Sequence, residues 1–67
     1  MTEKEEKVIR FLKIHFDDME YFRFEPYPEY LHGRKIYDPD RWIAVVYFDE
    51  ELNRVEMLLI NKEGEVY

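Results

Sequence analysis

The sequence predicts one α+β domain over residues 1–67, in which an N-terminal helix packs on an antiparallel meander of three or four strands and a long aromatic loop precedes the main hairpin. Three observations lead to this prediction: a helical apolar periodicity near the N-terminus, two β-branched runs near the C-terminus, and a stretch rich in proline and aromatic residues between them. A domain this small buries only about 60% of its unfolded surface, so we expect a marginal core.

The first segment, TEKEEKVIRFLKIHFDDMEYF, is predicted to be the only helix. Thr2 and Glu5 match a capping box, in which the hydroxyl and the carboxylate each pair with a free backbone amide. At about 100° per residue, most of the large apolar side chains of this segment lie on one face. That face consists of Val8, Ile9, Phe11, Leu12, His15, Phe16, Met19 and Phe22.

Two short extended pieces are predicted in the middle of the chain. YFRFE, residues 21–25, alternates apolar and charged side chains and predicts a strand that Pro26 and Pro28 end. RKIYD, residues 34–38, is a second extended piece inside the loop.

The C-terminal third predicts a hairpin followed by a tight turn. RWIAVVYFD and NRVEMLLIN are rich in residues that favour strands, and the loop EELN joins them if Asp49 pairs with Arg54. NKEG then predicts a turn with a left-handed Gly64, after which EVY returns as an edge strand.

Both faces of the predicted hairpin are apolar, although a single helix covers only one. The expected register directs one set of side chains to the helix: Trp42, Ala44, Val46, Phe48, Val55, Met57 and Leu59. The other face contains Tyr47 and Glu56 together with a second apolar surface, made of Ile43, Val45, Leu58 and Ile60. This second apolar surface needs another cover, which is either the aromatic loop or another protein chain.

The loop over residues 25–41 therefore has two interpretations, which the sequence leaves open. As a lid, it completes a core that a larger protein would complete with a second helix. As a binding surface, it presents Tyr and Arg, the residue types that dominate binding hot spots, and its prolines reduce the entropy lost on binding. The partner-binding residues predicted on this basis are Tyr27, Tyr30, Leu31, Arg34, Ile36, Tyr37 and Arg41.

Composition narrows the classes of function. A net charge of −6 disfavours binding to nucleic acid or to an anionic membrane. The chain has no Ser and no Cys, and its single Thr is the predicted helix cap, so nucleophilic hydrolysis has no candidate residue. We expect no cofactor, no metal site and no enzymatic activity, and a cytoplasmic location. High charge with few thermolabile residues is typical of hyperthermophiles, with a small designed protein as the alternative.

These observations favour a small regulator or inhibitor that acts by protein–protein binding. A homodimeric structural protein is one alternative. A metal-dependent enzyme is another, and it would have to use His15, His32 or the carboxylates of Asp38 and Asp40, each of which also fits a structural role. A single-strand nucleic-acid binder would use YLHGRKIY, residues 30–37, which mixes basic and aromatic side chains.

Two local resemblances point to known families. EEKVIRFL, residues 5–12, resembles the interaction box that binds sliding clamps: Val8, Phe11 and Leu12 occupy its apolar positions, whereas Glu5 replaces its Gln. Together with the small acidic profile, this is similar to a small archaeal inhibitor of the DNA sliding clamp, which implies a role in DNA replication by binding a clamp subunit. WIAVVYF and INKEGEVY resemble the hairpin and the Gly-Glu-Val ending of PepSY domains, a family linked to protease inhibition.

Overall fold

The computed structural model describes residues 2–18 and 20–66 and confirms the α+β fold class. One helix, α1, packs on a four-stranded antiparallel sheet whose strands follow in chain order, β1-β2-β3-β4. The bounds of the elements are α1 Glu3–His15, β1 Arg23–Pro26, β2 Arg34–Tyr37, β3 Trp42–Asp49 and β4 Arg54–Leu59.

Helix α1 begins as predicted but ends earlier. The Thr2 hydroxyl accepts a hydrogen bond from the Glu5 amide at 3.1 Å, which is one half of the predicted capping box. The Glu5 carboxylate does not complete the box and pairs with Arg34 instead. The predicted continuation to residue 22 is wrong, because the chain leaves the helix at Phe16, whose ring packs edge-on against Phe22 at 5.1 Å. Met19, predicted on the helix face, lies outside the described residues.

The central stretch is a β-hairpin rather than one long loop. The extended piece RKIYD forms β2, which pairs with β1 from Arg23–Tyr37 to Pro26–Arg34. The hairpin tip, residues 27–33, is closed by the Tyr27 amide, which donates to the Gly33 carbonyl at 2.9 Å. Two consecutive turns shape the tip, since the Tyr30 amide donates to the Tyr27 carbonyl and the Gly33 amide to the Tyr30 carbonyl.

Strands β3 and β4 pair in the predicted register, with Asp49 opposite Arg54. The Asp49 carboxylate accepts hydrogen bonds from the amides of Glu51 and Leu52, which fixes the intervening turn. The turn at residues 61–64 also forms, with φ of +80° at Gly64, a backbone angle that favours glycine. The predicted EVY strand is represented by a single bridge between Ile60 and Val66, and Tyr67 lies outside the described residues.

A β-bulge at the start of β3 changes the direction of two side chains. Ile36 pairs with Ala44 and Tyr37 pairs with Trp42, so Ile43 has no partner on β2. Ile43 consequently packs against the helix-side core, whereas the Trp42 ring lies beside Lys35 on the opposite face. The predicted directions of Trp42 and Ile43 were therefore wrong, because simple alternation along a strand does not anticipate an extra residue.

The main core lies between α1 and the sheet. Its buried members are Val8, Leu12, Ile36, Ala44, Val46 and Phe48, and half-buried aromatic and aliphatic side chains surround them. Within residues 2–18 and 20–66, no helix has the length and apolar character that crossing a membrane requires.

Candidate protein-binding face

Four aromatic rings form a row on the face of the sheet that points away from α1. We call them the aromatic face: Tyr27, Tyr30, Trp42 and Tyr47. Adjacent ring centroids are separated by 5.9 Å for Trp42–Tyr27, 5.6 Å for Tyr27–Tyr30 and 4.7 Å for Tyr30–Tyr47. These separations are typical of favourable aromatic pairs. Each ring is half-buried, so it packs on the protein and also contacts solvent.

Two members of the second apolar surface predicted from the sequence, Val45 and Ile60, are buried within this chain. Val45 points to the side of the sheet that carries the aromatic face, because its neighbours Ala44 and Val46 both belong to the helix-side core. Yet Val45 is only 1% exposed, and Ile60 has the same low exposure. Leu58 is half-buried. Val45 and Ile60 are therefore unavailable to a partner in this conformation.

Contacts with β3 hold the hairpin tip over the sheet. The Phe48 amide donates a hydrogen bond to the Leu31 carbonyl at 3.0 Å, which attaches the tip to β3 beyond the end of β2. Gly33 lies in the tip with so little free space that an added Cβ would be 2.4 Å from the Tyr27 carbonyl oxygen. The tip and its two tyrosines are consequently held in a packed arrangement on β3.

One end of the aromatic face is basic and the other is acidic. The Lys35 ammonium lies 5.2 Å from the Trp42 ring centroid and 5.4 Å from that of Tyr27, within the range of a cation–π interaction. At the other end, Glu56 is directly opposite Tyr47 in the β3–β4 register. Glu56 is paired with Arg54 at 2.8 Å, and the charge of Asp49 also lies close enough to raise the pKa of Tyr47.

Two tyrosines of the aromatic face hold their protons more tightly than usual. Burial raises the pKa of Tyr47, and the charges of Asp49 and Glu56 raise it further. The Tyr27 hydroxyl donates a hydrogen bond to the Glu29 carboxylate at 2.9 Å, which raises the pKa of Tyr27. Both hydroxyls are therefore uncharged donors at neutral pH.

Two of the predicted partner-binding residues, the arginines, are engaged within the protein. Arg34 pairs with Glu5 at 3.3 Å and donates to the carbonyls of His32 and Gly33. Arg41 donates from one nitrogen to three carbonyl oxygens: those of Trp42 at 3.2 Å, Ile60 at 2.9 Å and Asn61 at 3.0 Å. These contacts give both arginines a structural role.

The remaining predicted residues are dispersed. The side chain of Ile36 has no exposed surface, since it belongs to the helix-side core, and it cannot contact a partner without unfolding. Tyr37 lies under the Arg23 guanidinium at 4.3 Å. Leu31 is 39% exposed and adjoins Tyr30 in the tip. The structure thus brings Tyr27, Tyr30 and Leu31 together and separates them from Ile36.

Two members of the aromatic face, Trp42 and Tyr47, were not among the predicted partner-binding residues. Trp42 and Lys35 come together through the bulge and the β2–β3 pairing, which the sequence does not display. Tyr47 was correctly placed opposite the helix, but its contact with Tyr30 joins residues far apart in the chain. The only sequence feature that pointed to Tyr47 was the aromatic and β-branched pattern of β3, which predicts a strand and so the face on which this side chain lies.

The residues considered for metal binding have structural contacts. The His15 ring stacks on Phe11 at 4.2 Å, and His32 Nε2 is 3.2 Å from the Thr2 hydroxyl. Among residues 2–18 and 20–66, no group of three or more His, Asp or Glu side chains is arranged to hold a metal ion.

Asp38 begins the turn before β3. Its carboxylate accepts hydrogen bonds from the amides of Arg41 and Asp40, both at 2.8 Å, and these bonds lower the pKa of Asp38. A carboxylate with a lowered folded-state pKa stabilises the fold above its unfolded-state pKa, and this stabilisation disappears as the pH falls through the folded value.

We therefore expect the difference in melting temperature between the wild type and Asp38→Asn to narrow as the pH falls from neutral to acid, because asparagine cannot be protonated. Thermal melts across this range measure the difference. Asp17→Asn is the control, since no described hydrogen bond involves that exposed carboxylate. An equal difference at all pH values would contradict the assigned role of Asp38.

Comparison with protein-family models, curated proteins and solved structures finds no match for this chain.

Proposed function

We propose that this domain is a small non-enzymatic regulator that binds another protein through the aromatic face and the adjoining Leu31. The observation that supports this proposal is the row of four half-exposed rings, with centroid separations from 4.7 to 5.9 Å, over an already buried sheet. Tyr and Trp supply large contact areas with few rotatable bonds, which is why they are enriched in binding hot spots.

The packing of the hairpin tip supports the same proposal. Binding costs free energy when loops and side chains must be ordered, and a surface that is already ordered avoids much of this cost. Here the turn hydrogen bonds and the Phe48–Leu31 bond order the tip, while the rings support one another. Covering the sheet and binding a partner are therefore compatible roles for the same tyrosines.

A sliding clamp is one candidate partner, on the resemblance of residues 5–12. In the folded domain, Val8 is 0% and Leu12 is 7% exposed, so a docked α1 cannot insert them into a clamp. Binding through this segment would require α1 to leave the sheet. Binding through the aromatic face would not, and the two routes differ in whether the domain stays folded in the complex.

Alanine substitution of Tyr30 and Leu31 together is expected to weaken partner capture by about 2 kcal/mol, the cost of removing a hot-spot pair. This corresponds to about a 30-fold higher Kd. The immobilised protein is used to capture partners from a lysate of the source organism, with a purified archaeal sliding clamp tested in parallel, and the Kd of the captured protein is then measured for each variant.

Tyr21→Ala with Ile14→Ala is the matched control. It also removes one tyrosine and one aliphatic side chain, and these are 52% and 67% exposed, away from the aromatic face. Equal binding by both double variants, each verified as folded by circular dichroism, would refute the proposal. Sedimentation of the wild type at the same concentrations separates capture of a partner from homodimer formation, the alternative that exposed Met57 and Leu59 on β4 favour.

A further inference from the structure

A shallow groove lies at the acidic end of the aromatic face, between the hairpin tip and the β3–β4 turn. Its apolar lining comes from Tyr30, Leu31 and Tyr47, since the Phe48 side chain is 2% exposed and belongs to the helix-side core. Four acidic residues line its edge, and we call them the acidic rim: Glu29, Asp49, Glu50 and Glu51. The groove thus combines aromatic surface with several carboxylates in a chain whose net charge is −6.

Four aromatic rings, those of Tyr27, Tyr37, Trp42 and Phe48, have a cation of the chain itself over them. Arg23 lies 4.3 Å over Tyr37 and also pairs with Glu25, and Lys35 lies over both Tyr27 and Trp42. On the helix side, the ammonium groups of Lys4 and Lys7 lie 5.5 and 5.9 Å from the Phe48 ring centroid.

Tyr30 and Tyr47 differ from these rings. In the part of the chain that the structure describes, no Lys or Arg lies over either of them. Of the acidic rim, Glu50 pairs with Lys4 at 2.8 Å, whereas Glu29, Asp49 and Glu51 have no ion-pair partner among residues 2–18 and 20–66. Arg23 thus lies between an aromatic ring and a carboxylate, those of Tyr37 and Glu25. The groove also combines aromatic rings with carboxylates, but no cation of the described chain lies on its rings.

We propose that this groove binds a basic segment of the partner protein and accepts an arginine side chain on the Tyr30–Tyr47 rings, with its guanidinium on the acidic rim. This inference rests on the proposed function and specifies the chemistry of the partner. Arginine fits better than lysine, because its planar guanidinium stacks on aromatic rings while it donates paired hydrogen bonds to carboxylates.

The direct test is an NMR titration of the wild-type protein with the peptide Gly-Arg-Gly-Arg-Gly. The expected result is saturable shifts of the amide signals of Tyr30, Leu31, Tyr47 and Asp49. The same peptide with citrulline in place of arginine has nearly the same shape without the charge, and it is expected to cause no saturable shift. Equal responses to the two peptides, or shifts centred elsewhere, would overturn the inference.

A matched pair of charge variants tests the acidic rim. Glu29→Gln with Glu51→Gln removes two charges there and preserves the acceptor for Tyr27, whereas Glu63→Gln with Glu65→Gln removes two charges near the C-terminus. Only the first pair is expected to weaken binding of the arginine peptide, by about tenfold, or 1.4 kcal/mol. Equal weakening by both pairs would show attraction by net charge alone and would overturn the inference.

The two proposals fail in distinguishable ways. If Tyr30→Ala with Leu31→Ala abolishes partner capture while the two glutamate variants bind that partner equally, the aromatic face is the binding surface and the basic-segment inference is wrong. If Tyr30→Ala with Leu31→Ala captures the partner as well as the wild type does, the proposed function itself is wrong.

Discussion

Phe48→Ala is expected to leave most of the protein unfolded at room temperature. Phe48 is 2% exposed at the centre of the helix-side core. Truncating a buried Phe to Ala costs about 3–5 kcal/mol, because the transfer free energy is lost and a cavity remains. A core of this size rarely supplies more than about 3–5 kcal/mol in total, so the substitution consumes most or all of the stability.

Circular dichroism during thermal and urea unfolding measures this effect. Met57→Ala is the matched control: Met57 is 39% exposed on β4, and a substitution at an exposed site usually changes stability by about 0.5 kcal/mol or less. A Phe48→Ala protein that melts cooperatively within a few degrees of the wild type would mean that the helix does not pack on β3 as described.

Gly33→Ala is expected to destabilise the protein by about 1–3 kcal/mol, the usual cost of overpacking. The new methyl group would be 2.4 Å from the Tyr27 carbonyl oxygen and 3.0 Å from that of Tyr30, and backbone atoms cannot rotate away as the end of a flexible side chain can. Relief requires the hairpin tip to move off β3. We therefore expect lower stability in urea together with smaller ring-current shifts of the Val45 methyl signals in NMR spectra.

Gly64→Asn provides the comparison. Gly64 is constrained by its φ of +80°, and a Cβ there would have no atom within 4 Å. Asparagine tolerates the left-handed conformation, so we expect a cost below about 1 kcal/mol and unchanged Val45 signals. If the two glycine variants behaved alike, crowding at the hairpin tip would not be what holds it in place.

The features that were predictable from sequence depend on neighbouring residues. The Thr2 cap, the Asp49–Arg54 register and the Gly64 turn each follow from a few adjacent side chains, and all three are present. The end of α1 was not predictable in this way. Helical periodicity continues past His15, but the chain gains more by packing Phe16 against Phe22 and Phe24 than by another helical turn.

The candidate site was predictable only in part, for a similar physical reason. Tyr27 and Tyr30 stand out by composition, and the structure places both on one face. Trp42 joins them because of a bulge that changes its direction. Arg41 was predicted to contact a partner, but its guanidinium hydrogen-bonds carbonyl groups at the far end of β4. Contacts across the sheet decided these outcomes, and composition does not reveal them.

The burial of Val45 on the side of the sheet that carries the aromatic face has a consequence for how this protein can diversify. In most binding domains a rigid scaffold is separate from the variable side chains, so that specificity changes by mutation without loss of the scaffold. Under the proposed function, Tyr27, Tyr30 and Tyr47 pack on the side of the sheet where Val45 is buried and also contact the partner, so exchanging any of them also changes the packing there. New specificities in descendants of this chain should therefore arise first among the surrounding charged residues, while the rings themselves stay aromatic.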